Sequence, residues 1–262
     1  MPELPDVEHF RRFLARHATG KRIEQVVTTD PGILRGISPE ALHRALRGHR
    51  FEEPERHGKW LLAWTTGPAV LMHFGMTGDL GWGRDAASRH QHDRVVFVTD
   101  GGELRYRNMR KFGGLWLAHD RAEAASTMGG LGPDALTLDR RVFRELLDRR
   151  RGRVKAALMD QRLLAGVGNL VADEALWRAR IHPASRIEDL PSQDRDRLHT
   201  AVRRVLRDWV ERFDDLPPRW LIHVRGRPDA RCPRCGTPLG RTVVGGRTTY
   251  FCPRCQPEGS VH

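Results

Sequence analysis

The sequence predicts an α+β protein: a β-rich first half headed by a helix, a helical second half, and a small cysteine-bearing ribbon at the end. Three observations predict it. Between residues 22 and 118, short β-branched and aromatic runs alternate with Gly, Pro and Asp, the pattern of antiparallel strands and turns. Beyond residue 138, apolar residues recur at helical spacing. The four cysteines fall near the C-terminus as Cys232-x2-Cys235-x16-Cys252-x2-Cys255, with none left over.

The elements follow in order. A first helix is expected over residues 5–17, because Pro5 is tolerated in a first turn and Val7, Phe10, Phe13 and Leu14 form one apolar stripe. Glu8 is expected to face back towards Pro2. Strands are expected at 22–28, 60–64, 70–73, 95–99, 104–107 and 115–118, with a short helix at 39–46. Together they imply an antiparallel sandwich or barrel. Residues 119–138 read as a linker. Helices resume at 140–149 and at 192–213, the latter striped by Leu198, Val202, Val205, Leu206 and Trp209. Between these, residues 154–161 are short and helical, Gly166 and Gly168 allow tight turns, and Asn169 can cap a helix running to about Ala179.

The 262 residues suit one large domain or two smaller ones, and 39% hydrophobic content supports an ordinary core. Lys+Arg number 45 against 33 Asp+Glu, a formal net charge of +12, which favours a polyanionic partner. Arginine far outnumbers lysine, so part of this excess reflects composition alone. No apolar stretch is long enough to span a bilayer, and the N-terminus lacks the apolar core of a signal peptide. An intracellular protein with no membrane partner is expected.

Each C-x2-C pair can aim two thiolates at one tetrahedral ion. The segment between the pairs reads as a hairpin, with β-rich residues 241–244 and 248–251 flanking Gly245-Gly246-Arg247. Two disulfides are the alternative, which an intracellular chain disfavours. One structural Zn2+ held by Cys232, Cys235, Cys252 and Cys255 is expected, since four thiolates leave no open position for water. Arg247 at the hairpin tip is suited to reach a phosphate; a solvated turn residue is the plain alternative. Asn169 stands where a helix start exposes unpaired amides, a ready anion site, with Lys155 and the run Arg149-Arg150-Arg151 nearby.

The first residues, Met1-Pro2-Glu3-Leu4-Pro5-Asp6-Val7-Glu8, suggest covalent chemistry. Removal of Met1 would leave Pro2 with a free secondary amine. An α-amino group titrates near ~8, so a usable fraction is unprotonated at neutral pH. Attack on a sugar aldehyde would give an iminium with no proton left to lose, an electron sink, with Glu3 adjacent as a proton donor. A frayed terminus is the ordinary alternative. Two loops add apolar groups among glycines and cations: Met76 within residues 73–78, and Phe112 beside Arg110 within residues 108–113. Such side chains either pack in a core or enter a base stack as wedges.

Taken together, these pieces resemble the bacterial formamidopyrimidine-DNA glycosylases, relatives of endonuclease VIII. The resemblance runs through Pro2–Glu8, Gly58-Lys59-Trp60-Leu61, His73–Gly78, His92-Asp93, Leu104-Arg105-Tyr106, Arg110-Lys111-Phe112-Gly113, Leu131-Gly132-Pro133, Lys155, Leu158-Met159-Asp160-Gln161, Gly166–Asn169, Ala172–Leu176 and the ribbon. It implies a catalytic β-sandwich domain with an N-terminal helix (1–118), a linker (119–138), a helix–two-turns–helix DNA-binding domain (139–224) and a zinc ribbon (225–262). DNA would lie in a basic cleft between the domains. It implies a bifunctional DNA glycosylase/AP lyase of base excision repair. Pro2 would be the nucleophile at C1′ and Glu3 the general acid/base. Lys59 would assist β-elimination, and Arg247 would grip the phosphate and serve δ-elimination. His92, Arg110, Arg150, Lys155 and Asn169 would contact DNA, and Met76, Arg110 and Phe112 would fill the gap left by a flipped nucleotide. The partner implied is double-stranded DNA with damaged bases or abasic sites, bound by a monomeric, cytoplasmic, nucleoid-associated bacterial protein. A non-catalytic zinc-dependent damaged-DNA-binding protein is the competing reading.

Some residues depart from the family pattern. Asp6 stands where Glu is usual, Met109 where Pro is, and Lys111 where Arg is. Between Phe213 and Cys232 the chain runs almost directly into the ribbon, where 8-oxoguanine-specific members carry a long loop over the flipped base. That departure puts 8-oxoguanine preference in doubt and leaves the catalytic steps untouched.

Overall fold

The computed structural model describes residues 2–258. Met1, on whose removal the proline chemistry depends, lies outside them. The chain forms two compact units divided between Gly130 and Leu131.

In the first unit, helix α1 (Leu4–Ala18) begins in a capping box in which the Asp6 carboxylate accepts the Glu3 amide at 2.7 Å, satisfying a donor that the helix start leaves orphaned. The shorter acid at this position therefore still reaches its partner. Strand β1 (Ile23–Thr28) is followed by α2 (Pro39–Leu46), capped by Ser38. Then come β2 (Glu55–His57), β3 (Trp60–Ala63), β4 (Ala69–His73), β5 (Gly78–Gly83), β6 (Asp93–Thr99), β7 (Gly102–Asn108) and β8 (Gly114–Ala118). They build two four-stranded antiparallel sheets, ordered β1-β6-β7-β5 and β2-β3-β4-β8. Val26, Val95, Phe97, Leu104 and Tyr106 of one sheet share a core with Leu61, Ala63, Val70, Met72 and Leu115 of the other and with Val7, Phe10 and Leu14 of α1. The unit is a sandwich, and each large apolar side chain it buries contributes about 1.5–3 kcal/mol.

Two strands lie outside the sequence expectation. β5 carries Gly78, Gly81 and Gly83, and β2 is Glu-Arg-His. Neither shows a β-branched run; each is extended because a neighbour pairs with it, β7 and β3 respectively. The stretch read as a linker holds helix α3 (Arg121–Met128), capped by the Asp120 carboxylate and ended by left-handed Gly129. It buries Ala124 alone, against Leu62, Leu71 and Ala118 of the second sheet, so no apolar stripe announces it.

In the second unit, helices α4 (Arg140–Asp148), α5 (Val154–Met159), α6 (Asn169–Ala179) and α7 (Ser192–Arg212) precede a hairpin of β9 (Gly240–Val244) and β10 (Arg247–Phe251). The expected stripe of α7 is buried. Gln161 knits the reversal between α5 and α6: its amide donates to the Met159 and Val167 carbonyls at 2.9 and 2.8 Å, and its oxygen accepts from the Gly166 amide at 3.0 Å. Gly166, at φ 108°, needs its freedom; Gly168 is extended and is itself the cap of α6. Asn169 is thus the first helical residue rather than the cap. Beyond α7 a single 3-10 turn, Leu221–His223, leads to the ribbon, with Trp220 and Leu221 buried. No helix among the described residues is long and apolar enough to cross a membrane.

Candidate active site and metal centre

At the head of α1, Pro2 is half-buried and Glu3 is enclosed, 1% exposed. Glu8, expected to face Pro2, instead binds Arg11 at 2.9 Å and Arg56 at 3.1 Å. Burial alone would raise its carboxyl, but the two guanidiniums outweigh that and hold it below the usual range. Arg56 also donates to the Gly58 carbonyl at 3.0 Å. One guanidinium thereby ties α1 to the turn between β2 and β3, where Gly58 sits at φ 56° and Lys59 follows it. Burial, then the nearby Lys59 ammonium, hold the His73 imidazole below its ordinary range. His73 is neutral at pH 7, and Lys59 is within its electrostatic reach.

The two loops bearing Met76 and Phe112 are built as one platform. Gly75 is left-handed at φ 60°, and a Cβ there would come within 2.5 Å of the Phe112 and Gly113 backbone. The Tyr106 hydroxyl donates to the His73 carbonyl at 2.8 Å, and the Asn108 amide to the Phe74 carbonyl at 3.2 Å. The Asn108 side-chain oxygen accepts the Lys111 amide at 2.9 Å, while the Thr77 hydroxyl oxygen accepts the Arg110 amide at 3.0 Å. On this fixed base Met76 and Phe112 project, 41% and 60% exposed, so neither is a core residue. The Arg110 guanidinium lies 5.2 Å over the Phe112 ring. Lys111 is left-handed and pairs with Asp30 at 2.7 Å. His92, half-buried just before β6, shares a 3.1 Å hydrogen bond with Arg94. Partial desolvation and the surrounding Arg94, His90 and Arg107 lower its pKa, which makes it a neutral hydrogen-bonding group at pH 7.

In the second unit, Arg247 is exposed and opens β10, paired with Val244 across Gly245-Gly246. Both glycines have positive φ, 57° and 70°, the two-residue turn of a tight hairpin; Arg247 is beside the tip rather than in it. Arg150 is partly exposed and pairs with Asp160 at 3.2 Å. The Asn169 amide donates to the Thr248 carbonyl at 3.2 Å. Lys155, expected at the DNA surface, is instead fully buried, 0% exposed, with its ammonium 2.7 Å from Asp173. A buried ammonium requires such a partner. Sequence reasoning assigns no role to Arg56, Asp173, Thr249 or the Tyr106–Asn108–Thr77 set, although several lie in segments that carry the resemblance, because their contacts join residues distant in the chain.

All four cysteines are free, and their sulfurs lie within 4.8 Å of one another. Cys235 Sγ is 3.5 Å from both Cys252 Sγ and Cys255 Sγ, and Cys232 Sγ is 3.9 Å from Cys255 Sγ. A tetrahedral zinc with Zn–S bonds near 2.3 Å places its sulfurs roughly 3.8 Å apart, so the set fits that ion. The Trp177 indole N–H donates to Cys232 Sγ at 3.3 Å and the Cys255 amide to Cys252 Sγ at 3.4 Å, donors suited to thiolate charge.

Comparison with known proteins covers nearly the whole chain. Residues 1–115 match the formamidopyrimidine-DNA glycosylase N-terminal domain, residues 130–215 the formamidopyrimidine-DNA glycosylase H2TH domain, and residues 231–257 a zinc finger found in FPG and IleRS. The formamidopyrimidine-DNA glycosylase of Symbiobacterium thermophilum is 40% identical over 98% of this chain and 90% of its own length. That of Bacillus anthracis is 36% identical over 98% of this chain and 100% of its own. Among solved structures, Lactococcus lactis Fpg in complex with abasic-site DNA superposes with a TM-score of 0.89 at 29% identity, covering 98% of this chain and 100% of that one. A mutant of the same protein with Fapy-dG DNA gives 0.88 at 30% identity over the same shares.

Proposed function

The chain belongs to the formamidopyrimidine-DNA glycosylase family, and from that premise we propose that this DNA-repair glycosylase is bifunctional, excising oxidised bases and then cutting the strand as an AP lyase. Its partner is DNA carrying damaged bases or abasic sites. The observation that carries the reading is the enclosed Glu3 carboxylate directly after a half-buried Pro2. Burying a carboxylate is costly even with the capping-box bond that Glu3 accepts, and a carboxylate enclosed beside a candidate nucleophile is the arrangement that acid–base chemistry uses.

In this reading, the unprotonated Pro2 nitrogen attacks C1′ and the damaged base leaves with the glycosidic electron pair. The Glu3 carboxylate takes the proton from the now cationic Pro2 nitrogen and delivers it to the ring oxygen as the C1′–O bond breaks, so the sugar opens and the nitrogen lone pair forms the iminium. Loss of a C2′ proton, assisted by Lys59, expels the 3′ phosphate; a second elimination expels the 5′ phosphate, with Arg247 gripping the phosphate. His92, Arg110, Arg150 and Asn169 bind the DNA backbone, and Met76 and Phe112 fill the vacated stack. One zinc ion, held by the four cysteines, has a structural role because no coordination position stays open. Between α7 and the ribbon hairpin the chain holds only one 3-10 turn, which argues against an 8-oxoguanine cover; the candidate substrates are formamidopyrimidines, ring-saturated oxidised pyrimidines, further-oxidised guanines and abasic sites.

Borohydride reduction on an abasic-site duplex tests the nucleophile. The wild type should trap as a covalent adduct and show the mass of a chain lacking Met1. Pro2→Gly should lower trapping at least 100-fold, and Glu3→Gln should lose base excision. A binding protein without catalysis would engage the same duplex and trap nothing.

A further inference from the structure

We infer that Lys155 and Asp173 form a buried clamp that positions Arg247, so that Lys155 acts on DNA through the hairpin and not by touching it. The Lys155 ammonium, 2.7 Å from the Asp173 carboxylate, donates to the Thr249 hydroxyl at 2.7 Å. That hydroxyl in turn donates to the carbonyl of Arg247 at 2.9 Å. The other Asp173 oxygen accepts the Tyr250 amide at 3.3 Å and binds Arg225 at 2.7 Å. The Thr248 carbonyl takes Lys155 at 3.4 Å and Asn169 at 3.2 Å. Thr248, Thr249 and Tyr250 are thus each held by α5 or α6 through backbone or hydroxyl, and Arg247 is held at one remove, through the Thr249 hydroxyl. At the tip, a Cβ on Gly245 would stand 3.1 Å from the Ala156 Cβ of α5, so the turn rests on the helix that carries Lys155. Lys155, Asp173 and Thr249 are all buried. A guanidinium meets a phosphate with less ordering cost and better placement where its strand is fixed, and charge-assisted bonds of this kind fix it more firmly than neutral ones.

The inference rests on the proposed role of Arg247, and the test separates the two. Thr249→Val keeps the side-chain shape and removes the hydroxyl; Thr249→Ser keeps the hydroxyl. Each is compared with Arg247→Ala, alone and combined, on an abasic-site duplex, reading KM and the ratio of β- to β,δ-elimination products. Zinc content and the unfolding midpoint report whether the fold persists. Thr249→Val should raise KM roughly tenfold, the loss of one charge-assisted hydrogen bond. It should also shift products towards β-elimination, with Thr249→Ser near wild type and no added effect in the Arg247→Ala background. Asp173→Asn, which keeps volume and removes the counter-charge, should show the same shift and serves if the valine variant loses zinc. Wild-type KM and product ratio in Thr249→Val or Asp173→Asn, with Arg247→Ala impaired, overturn the clamp. An unimpaired Arg247→Ala overturns the role of Arg247 itself, and the clamp with it.

Discussion

Glu8 shows how one carboxylate sets conditions for a site that it does not touch. Its ion pair with Arg56 is shielded from solvent, and Arg56 holds the Gly58 carbonyl beside Lys59. Because its folded pKa is lowered, the unfolded state binds the proton more readily. The stabilisation is fully present above the unfolded value near ~4.3 and is lost as pH falls through the folded one. Asp6, raised mainly by burial, titrates with the opposite sign, so a Glu8 variant rather than pH alone isolates the effect. Glu8→Gln should cost about 3 kcal/mol at pH 7, the scale of breaking a buried pair, and should flatten the loss of stability between pH 5 and the folded pKa. Urea unfolding of both proteins across that range checks it; parallel slopes would assign the acid sensitivity to another group.

At the scale of elements, legibility followed the range of the forces involved. Helices α2, α6 and α7 were readable to within a residue or so because the helical pattern lies inside or next to the segment itself, although Asn169 opens α6 without capping it. β5 was not, since three glycines leave pairing with β7 as its main reason to be a strand. The same distinction holds for the site. The cysteine pattern is local, and its four sulfurs do come together; the proposed Pro2-Glu3 pair is also a local motif, whereas Lys155 and Thr249 stand 94 positions apart, and their bond exists only in the folded chain. The loops bearing Met76 and Phe112 were visible as motifs, but their exposure and the tight Gly75 approach were not. Phe112→Ala should change stability by less than about 0.5 kcal/mol, as an exposed substitution does. It should slow excision of a base-paired lesion more than cleavage at an abasic site, where less unstacking is required. Single-turnover rates on the two duplexes decide this: equal slowing would mean that Phe112 anchors DNA generally and does not wedge.

For the whole molecule, the metal separates two functions that the competing readings join. The ribbon has almost no apolar core of its own: Trp177, Leu221, Cys232 and Cys252 are its buried cluster, and half of these are ligands. In the proposed reading, an ion bound by the four thiolates would supply the folding energy that so small a unit lacks. The Pro2 amine and Glu3 belong to the other unit, whose sandwich core contains no cysteine. Cys252→Ser should therefore release one zinc per chain and weaken abasic-site DNA binding by at least about tenfold, since Arg247 loses its strand. At DNA concentrations high enough to compensate, borohydride should still trap the variant through Pro2. A zinc-dependent binder without catalysis would lose its affinity and give no adduct at any concentration. Zinc retention with undiminished affinity in Cys252→Ser would refute the four-thiolate site, and loss of trapping even under saturating DNA would show that the ribbon takes part in building the nucleophile's surroundings.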